Sequence, residues 1–115
     1  MIVKEIEKKY EDLIKAFKTT WDSFPGAARL IDNRNVTIAV NRFASEHGME
    51  EGQICAKMGT PESHRGCLKK AALLEREGKI DRPNADKIRG WLPIEKYPDV
   101  VVHFSLGLPD VNEKK

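Results

Sequence analysis

Apolar positions recur every three or four residues at the start of the chain: Val3, Ile6, Tyr10, Leu13 and Phe17, then Phe24, with Ile14 and Trp21 widening the stripe. Lys and Glu fill the remainder, so the pattern predicts an amphipathic helix from Ile2 to about Trp21. Pro25-Gly26 closes it, because proline disfavours helical geometry in the residue before it and glycine admits positive φ. Residues 1–24 are therefore expected to form a helical unit ahead of a domain over residues 25–109, with a charged tail at 110–115. Two uses are open for the stripe. It can cover the core of its own domain, or it can pair with a second copy along a short heptad seam through Val3, Ile6, Tyr10, Leu13 and Phe17.

Past the boundary the period changes to two. Ala28 and Leu30 alternate with Arg29 and Ile31, and Val36, Ile38 and Val40 alternate with Thr37 and Ala39. Between them Asp32-Asn33-Arg34-Asn35 tolerates turn and left-handed geometry, which predicts an antiparallel hairpin. Asn41 can then cap a short helix through His47, stopped by Gly48. An irregular stretch over Met49–Met58 leads to a longer helix with Thr60 as its cap, Pro61 at the first position and Gly78 past its end. Its expected inward stripe is His64, Cys67, Leu68, Ala71 and Leu74. Alternation returns weakly at Ile80, with Pro83-Asn84 as a turn, and clearly at Ile88, Gly90, Leu92 and Ile94. After a turn at Tyr97-Pro98-Asp99, the last strand sends Val100, Val102, Phe104 and Leu106 to one face and Val101, His103 and Ser105 to the other.

Helix, two strands, a helical excursion and three strands give an α+β layer, with a five-stranded antiparallel sheet covered by helices on one face. The space between sheet and excursion is the expected place for a ligand. The sheet would line it with Val36, Ile38, Val40, Leu92, Val102 and Phe104. Cys55, His64, Cys67, Leu68 and Ala71 would close it from the helical side. The same apolar positions also serve as a hydrophobic core.

Composition narrows the class. Of 115 residues, 33% are charged and 40% hydrophobic, and 20 Lys+Arg face 18 Asp+Glu, with the signs interspersed. One domain fits this length, and no basic stripe argues for nucleic acid or a lipid surface. Charges at Lys4 and Glu5 break any signal-peptide core, and no stretch is apolar enough for a membrane span. A cytoplasmic setting with free thiols is the expectation.

The candidate chemistry sits at Cys55, His64 and Cys67. His64 and Cys67 are three apart on the predicted helix, hence on one face, and imidazole with thiolates suits zinc, or iron in a cluster or haem. The set is one ligand short of a closed zinc site. Cys55 and Cys67 also serve as small buried apolar residues, or as a redox-responsive pair. His47, in the last turn of its helix, and His103 are given structural roles. No oxyanion donor, phosphate loop or nucleophile elbow accompanies these groups, so no catalytic residues are assigned and no enzyme is expected.

The run from Ala28 to Asn41, followed by Gly48 and Gly52, resembles the opening of a PAS sensory domain: strand, Asp/Asn-rich turn, strand, Asn at a helix start, spaced glycines. The segment Asp99–Gly107 resembles its last strand, and the likeness covers residues 25 to 108. The sequence departs from the common form in the short Gly48–Gly52 interval and in Pro93 and Pro98. Gly52-Gln53-Ile54-Cys55 and His64-Arg65-Gly66-Cys67 resemble a Cys-containing variant found in bacterial sensor kinases. The resemblance implies a non-catalytic prokaryotic sensor that binds a small ligand or a partner protein and transmits through its first helix, with homodimerisation through that helix as one route. It also implies haem on a histidine of the long helix as an alternative, for which His64 is the candidate.

Overall fold

The computed structural model describes residues 8–54 and 67–107. Val3 and Ile6, Cys55 and His64, the expected helix start at Thr60 and the tail over 110–115 lie outside the described residues. The elements are α1 (Glu11–Trp21), β1 (Ala27–Asp32), β2 (Thr37–Val40), α2 (Arg42–Glu46), α3 (Lys69–Glu75), β3 (Lys79–Asn84), β4 (Lys87–Ile94) and β5 (Tyr97–Gly107). All strands pair antiparallel in one sheet of order β2-β1-β5-β4-β3.

The hairpin forms where the alternation puts it. Its turn is held by Asp32, whose Oδ1 accepts the amides of Arg34 at 2.9 Å and Val36 at 3.0 Å, while Asn35 takes a left-handed φ of 69°. Asn41 caps α2 as expected, its Oδ1 accepting the Ala44 amide at 2.9 Å. Other turns are displaced. The last is at Glu95-Lys96 and not at Tyr97-Pro98-Asp99; Lys96 adopts φ 75° and Tyr97 already pairs with Ile94. Pro98 is tolerated in the strand because the pairing of β1 with β5 stops at Val100, so no neighbour there needs its amide. Likewise the β3–β4 turn is Ala85-Asp86, two residues past the expected site, with Asn84 Oδ1 accepting the Asp86 amide at 2.8 Å. Pro83 fits inside β3 because β3 is an edge strand.

The larger correction concerns the layers. Helices cover both faces of the sheet, not one. Tyr10, Leu13 and Phe17 pack with Ala28, Leu30, Val100 and Val102, joined by Trp21, Phe24, Leu92 and Phe104. Ala72, with Leu68 and Leu73, packs against Ile31, Trp91 and Val101. Adjacent residues of β1 and β5 thus enter opposite cores, as a period of two requires. Each large apolar side chain buried in this way contributes about 1.5–3 kcal/mol. On the α1 face Trp21 and Phe24 meet Phe104 with centroids 6.0 and 5.7 Å away. Gly90 makes room for that ring: a Cβ there would lie 2.1 Å from Phe104 Cε2.

The described part of the expected long helix is the seven-residue α3. Its stop is Arg76, left-handed at φ 55°, and not Gly78; the guanidinium Nη2 donates to Ile94 O at 2.8 Å, which fixes the chain end of the helix against the β4–β5 hairpin. The inward residue is Ala72, with Ala71 half-buried, and Leu74 points out. Cys67 precedes the helix and is exposed.

Candidate functional site

Register brings a polar set to the α3 face that lies far apart in sequence. Arg29 pairs with His103, His103 with Trp91, and Trp91 with Lys79, so these four form one row across β1, β5, β4 and β3. In the next row Arg89 lies between Ser105 and Asp81. Trp91 belongs to the α3 core, which assigns the whole set to that face.

Three of these groups stack. The Trp91 and His103 rings lie 4.9 Å apart at 9°, and the Arg89 guanidinium sits 5.2 Å from the Trp91 ring centroid. Arg89 forms a two-pronged pair with Asp81, Nε to Oδ1 at 2.9 Å and Nη2 to Oδ2 at 2.6 Å. Those bonds raise the pKa of Arg89 against the opposing effect of burial.

His103 Nδ1 lies 2.9 Å from Gly90 O. A carbonyl oxygen only accepts, so Nδ1 carries the proton and Nε2 keeps its lone pair. Burial pushes the pKa of this imidazole down to about 4; the Gly90 bond opposes that shift, while Arg29, Arg89 and Lys87 add to it by charge repulsion. At neutral pH the ring is therefore an uncharged acceptor on an aromatic floor, flanked by guanidinium donors. Thr37 Oγ1 is buried and has no hydrogen-bond partner among the described residues. Thr37 pairs with Ile31, a residue of the α3 core. Trp91, Arg29 and Arg89 are themselves buried, so the set is a packed polar cluster within the α3 face.

The sequence-derived site residues are divided by the sheet. Leu68 packs on the α3 face, and Val40, paired with Arg29, shares the row of His103. Leu92, Phe104 and Ile38 belong to the α1 core instead. They therefore cannot line one cavity with Leu68 and Ala71. Tyr10, Leu13 and Phe17 are buried against the sheet of their own chain, the covering role among the two uses open for the first helix. Of the metal candidates only Cys67 is described, and it is exposed, neither a helical residue facing inward nor a buried apolar one. Among the described residues no three His, Cys, Asp or Glu side chains are grouped to hold a metal ion. His47 stacks on Phe43 at 4.2 Å and its Nδ1 lies 2.8 Å from Phe43 O, a structural placement at the end of α2.

Arg29, Arg89 and Trp91 were not singled out by sequence reasoning. A signal existed: Arg29 stands between Ala28 and Leu30, and Arg89 and Trp91 flank Gly90, at the parity of His103 once the strands are paired. A second polar junction lies where α1 ends against β1 and α2. The Asn41 side chain, fully buried, accepts from Ala28 N and Ala44 N and donates to Trp21 O and Gly26 O, tying the end of α1 to β1 and α2.

Among solved structures the chain is similar to a sensory box sensor histidine kinase from Vibrio cholerae, with a TM-score of 0.62 and 15% identity, over 95% of this chain and 97% of that one. At that identity the likeness carries the fold, a PAS-type α+β sheet. No protein-family model matches the sequence, and no curated protein matches it. Among the described residues no helix is long and apolar enough to cross a membrane.

Proposed function

We propose that this chain is a non-catalytic PAS-like sensory module. A small ligand or a partner protein engages the α3 face around His103, Trp91 and Arg89, and the response leaves through α1. The observation that carries this reading is the double use of β5. Val101 and His103 belong to the α3 face, while Val100, Val102 and Phe104 hold the helix on the other side. A shift of β5 by a fraction of an ångström would be felt in both cores, because its side chains enter each of them and close-packed interiors transmit displacement. In this reading the module works in a prokaryotic cytoplasm beside a signalling partner. Tyr10, Leu13 and Phe17 are committed to the sheet, so pairing with a second copy uses other positions of α1 or requires its release.

The test is amide NMR of the whole chain titrated with a fragment library. A fragment that shifts His103, Trp91 and Arg89 is expected to shift amides over Glu11–Trp21 as well. Fragments that occupy the α3 face and leave α1 unmoved would overturn transmission, and a library without a single hit on that face would overturn ligand sensing there.

A further inference from the structure

The helices on the two faces of the sheet are held in different ways. α1 carries Glu11 and Asp12 in its first turn and Lys18 in its last, as the helix dipole favours, and with its cap it buries Tyr10, Leu13 and Phe17. α3 has none of these supports. It is seven residues long, its first turn has Lys69 and Lys70 and no acid, its last turn has no base, and Leu68 at the N-cap makes no side-chain bond. It stops on Arg76 in left-handed geometry. So short a helix does not persist in water by itself, and a left-handed residue other than glycine adds strain at its end.

Packing supplies little more. Ala72 is the fully buried apolar residue of α3, Leu73 is half-buried and Leu74 is 74% exposed. A cleft of about 700 Å³, lined by Leu73 and Leu74 with Pro98 and Asp99, leaves that side of the helix without close packing. Each end is instead fastened by a cation to oxygen atoms at a turn. Lys69 Nζ donates to Asp32 O at 2.9 Å and to Asn35 Oδ1 at the β1–β2 turn. Arg76 donates from Nη2 to Ile94 O at 2.8 Å and from Nη1 to Pro98 O at 3.4 Å, on either side of the β4–β5 turn. Asp32 O also accepts the Asn35 amide at 3.0 Å, so the β1–β2 turn keeps its own bond when the ammonium leaves.

We infer that α3 is a latch: it detaches as a unit by release of its Lys69 and Arg76 clasps, while the five strands and α1 stay folded. Opening uncovers Ile31, Val101 and Trp91, the apolar partners of Ala72. The opening is a property of the protein alone and is measured without a ligand, so its failure and that of the sensory reading are seen separately.

Native-state hydrogen exchange followed by NMR on the whole chain, in urea well below the unfolding midpoint, is the test. The amides of residues 72–75 are expected to share one opening constant, at least about a hundredfold larger than that of Leu30 and Val102 and almost independent of urea. Lys69→Met and Arg76→Gln should each raise that constant about tenfold. Val102→Ala weakens the α1 core, which is still formed in the open state. It should speed exchange of the sheet amides about tenfold or more and leave residues 72–75 unchanged. Exchange of residues 72–75 at the global rate, a separate constant for each, equal acceleration of helix and sheet by Val102→Ala, or no effect of both clasp variants would each overturn the latch. Should a variant fail to fold, the urea dependence in the parent protein still decides.

Discussion

Replacing Asn41 with alanine removes a side chain that uses its entire hydrogen-bonding capacity, two donors and two acceptors, at zero exposure. Loss of the cap on Ala44 N costs about 1 kcal/mol. The three remaining bonds run to backbone groups and are worth about 1 kcal/mol each. Trp21 O also accepts the Phe24 amide at 3.0 Å, so that carbonyl keeps one partner and the loss there is at the low end. The expected destabilisation is about 3–4 kcal/mol, a large part of the total stability of a domain this size. Urea unfolding should show a lower midpoint with an unchanged slope. Asn41→Asp separates the donors from the acceptors: it keeps both acceptor roles, loses both donors and buries a carboxylate. Protonating that carboxylate restores one donor and removes the charge, so its folded-state pKa lies above its unfolded one. The deficit of the Asp variant against the parent should therefore shrink as pH falls. A loss below about 1 kcal/mol in the alanine variant, or an Asp variant whose deficit ignores pH, would refute the account of Asn41 as a junction.

The pKa of His103, down at about 4 in the folded chain against 6.5 for the free imidazole, means that the unfolded state binds more protons between those values. Stability should therefore fall as pH drops from about 6.5 to 4, by roughly 3 kcal/mol in all, with no such contribution at or above neutrality. Burial is the main cause of this window; the Gly90 bond opposes it, and repulsion from Arg29, Arg89 and Lys87, the last two on β4 and the first on β1, adds to it. Urea midpoints across that range should lose this part of their slope in His103→Gln, and an unchanged slope in that variant would remove the assignment. Gly90→Ala places a methyl group 2.1 Å from Phe104 Cε2 and should cost about 1–3 kcal/mol. Combining it with Phe104→Leu should recover part of that cost, and strictly additive losses in the double-mutant cycle would show the clash to be elsewhere.

Local pattern carried the elements that depend on neighbours in sequence. The Asp32 turn, the Asn41 cap and the alternation of Val100–Phe104 each rest on contacts within a few residues or on a period of two, and each forms as read. The turns at Glu95-Lys96 and Ala85-Asp86 were less legible, because proline marks a turn only where a neighbouring strand would need its amide, and that depends on strand order. The side of the sheet taken by α1 and by α3 was not legible either, since an amphipathic stripe states that a helix is covered but not by which face. That one ambiguity mixed Leu92 and Phe104 with Leu68 in a single expected cavity. At the site, attention to residue types that ligate metals selected Cys55, His64 and Cys67. Of the groups that register assembles, Arg89, Trp91 and His103 meet in the β4–β5 hairpin, and Arg29 joins them only once β1 lies against β5.

The pairing of β1 with β5 has a bearing on how the polypeptide reaches this state. The first and last strands meet in the middle of the sheet, residues 27–32 against 100–105, while the hairpin partners β2 and β3 occupy its margins. During synthesis the N-terminal hairpin and α1 must wait until residues 100–105 have been made before the β1–β5 seam can zip. Closure of so long a loop makes folding slow for a domain of this length and leaves the Ala28–Ile31 edge open to wrong partners in the meantime. Truncation before Val100 would remove the keystone rather than a border.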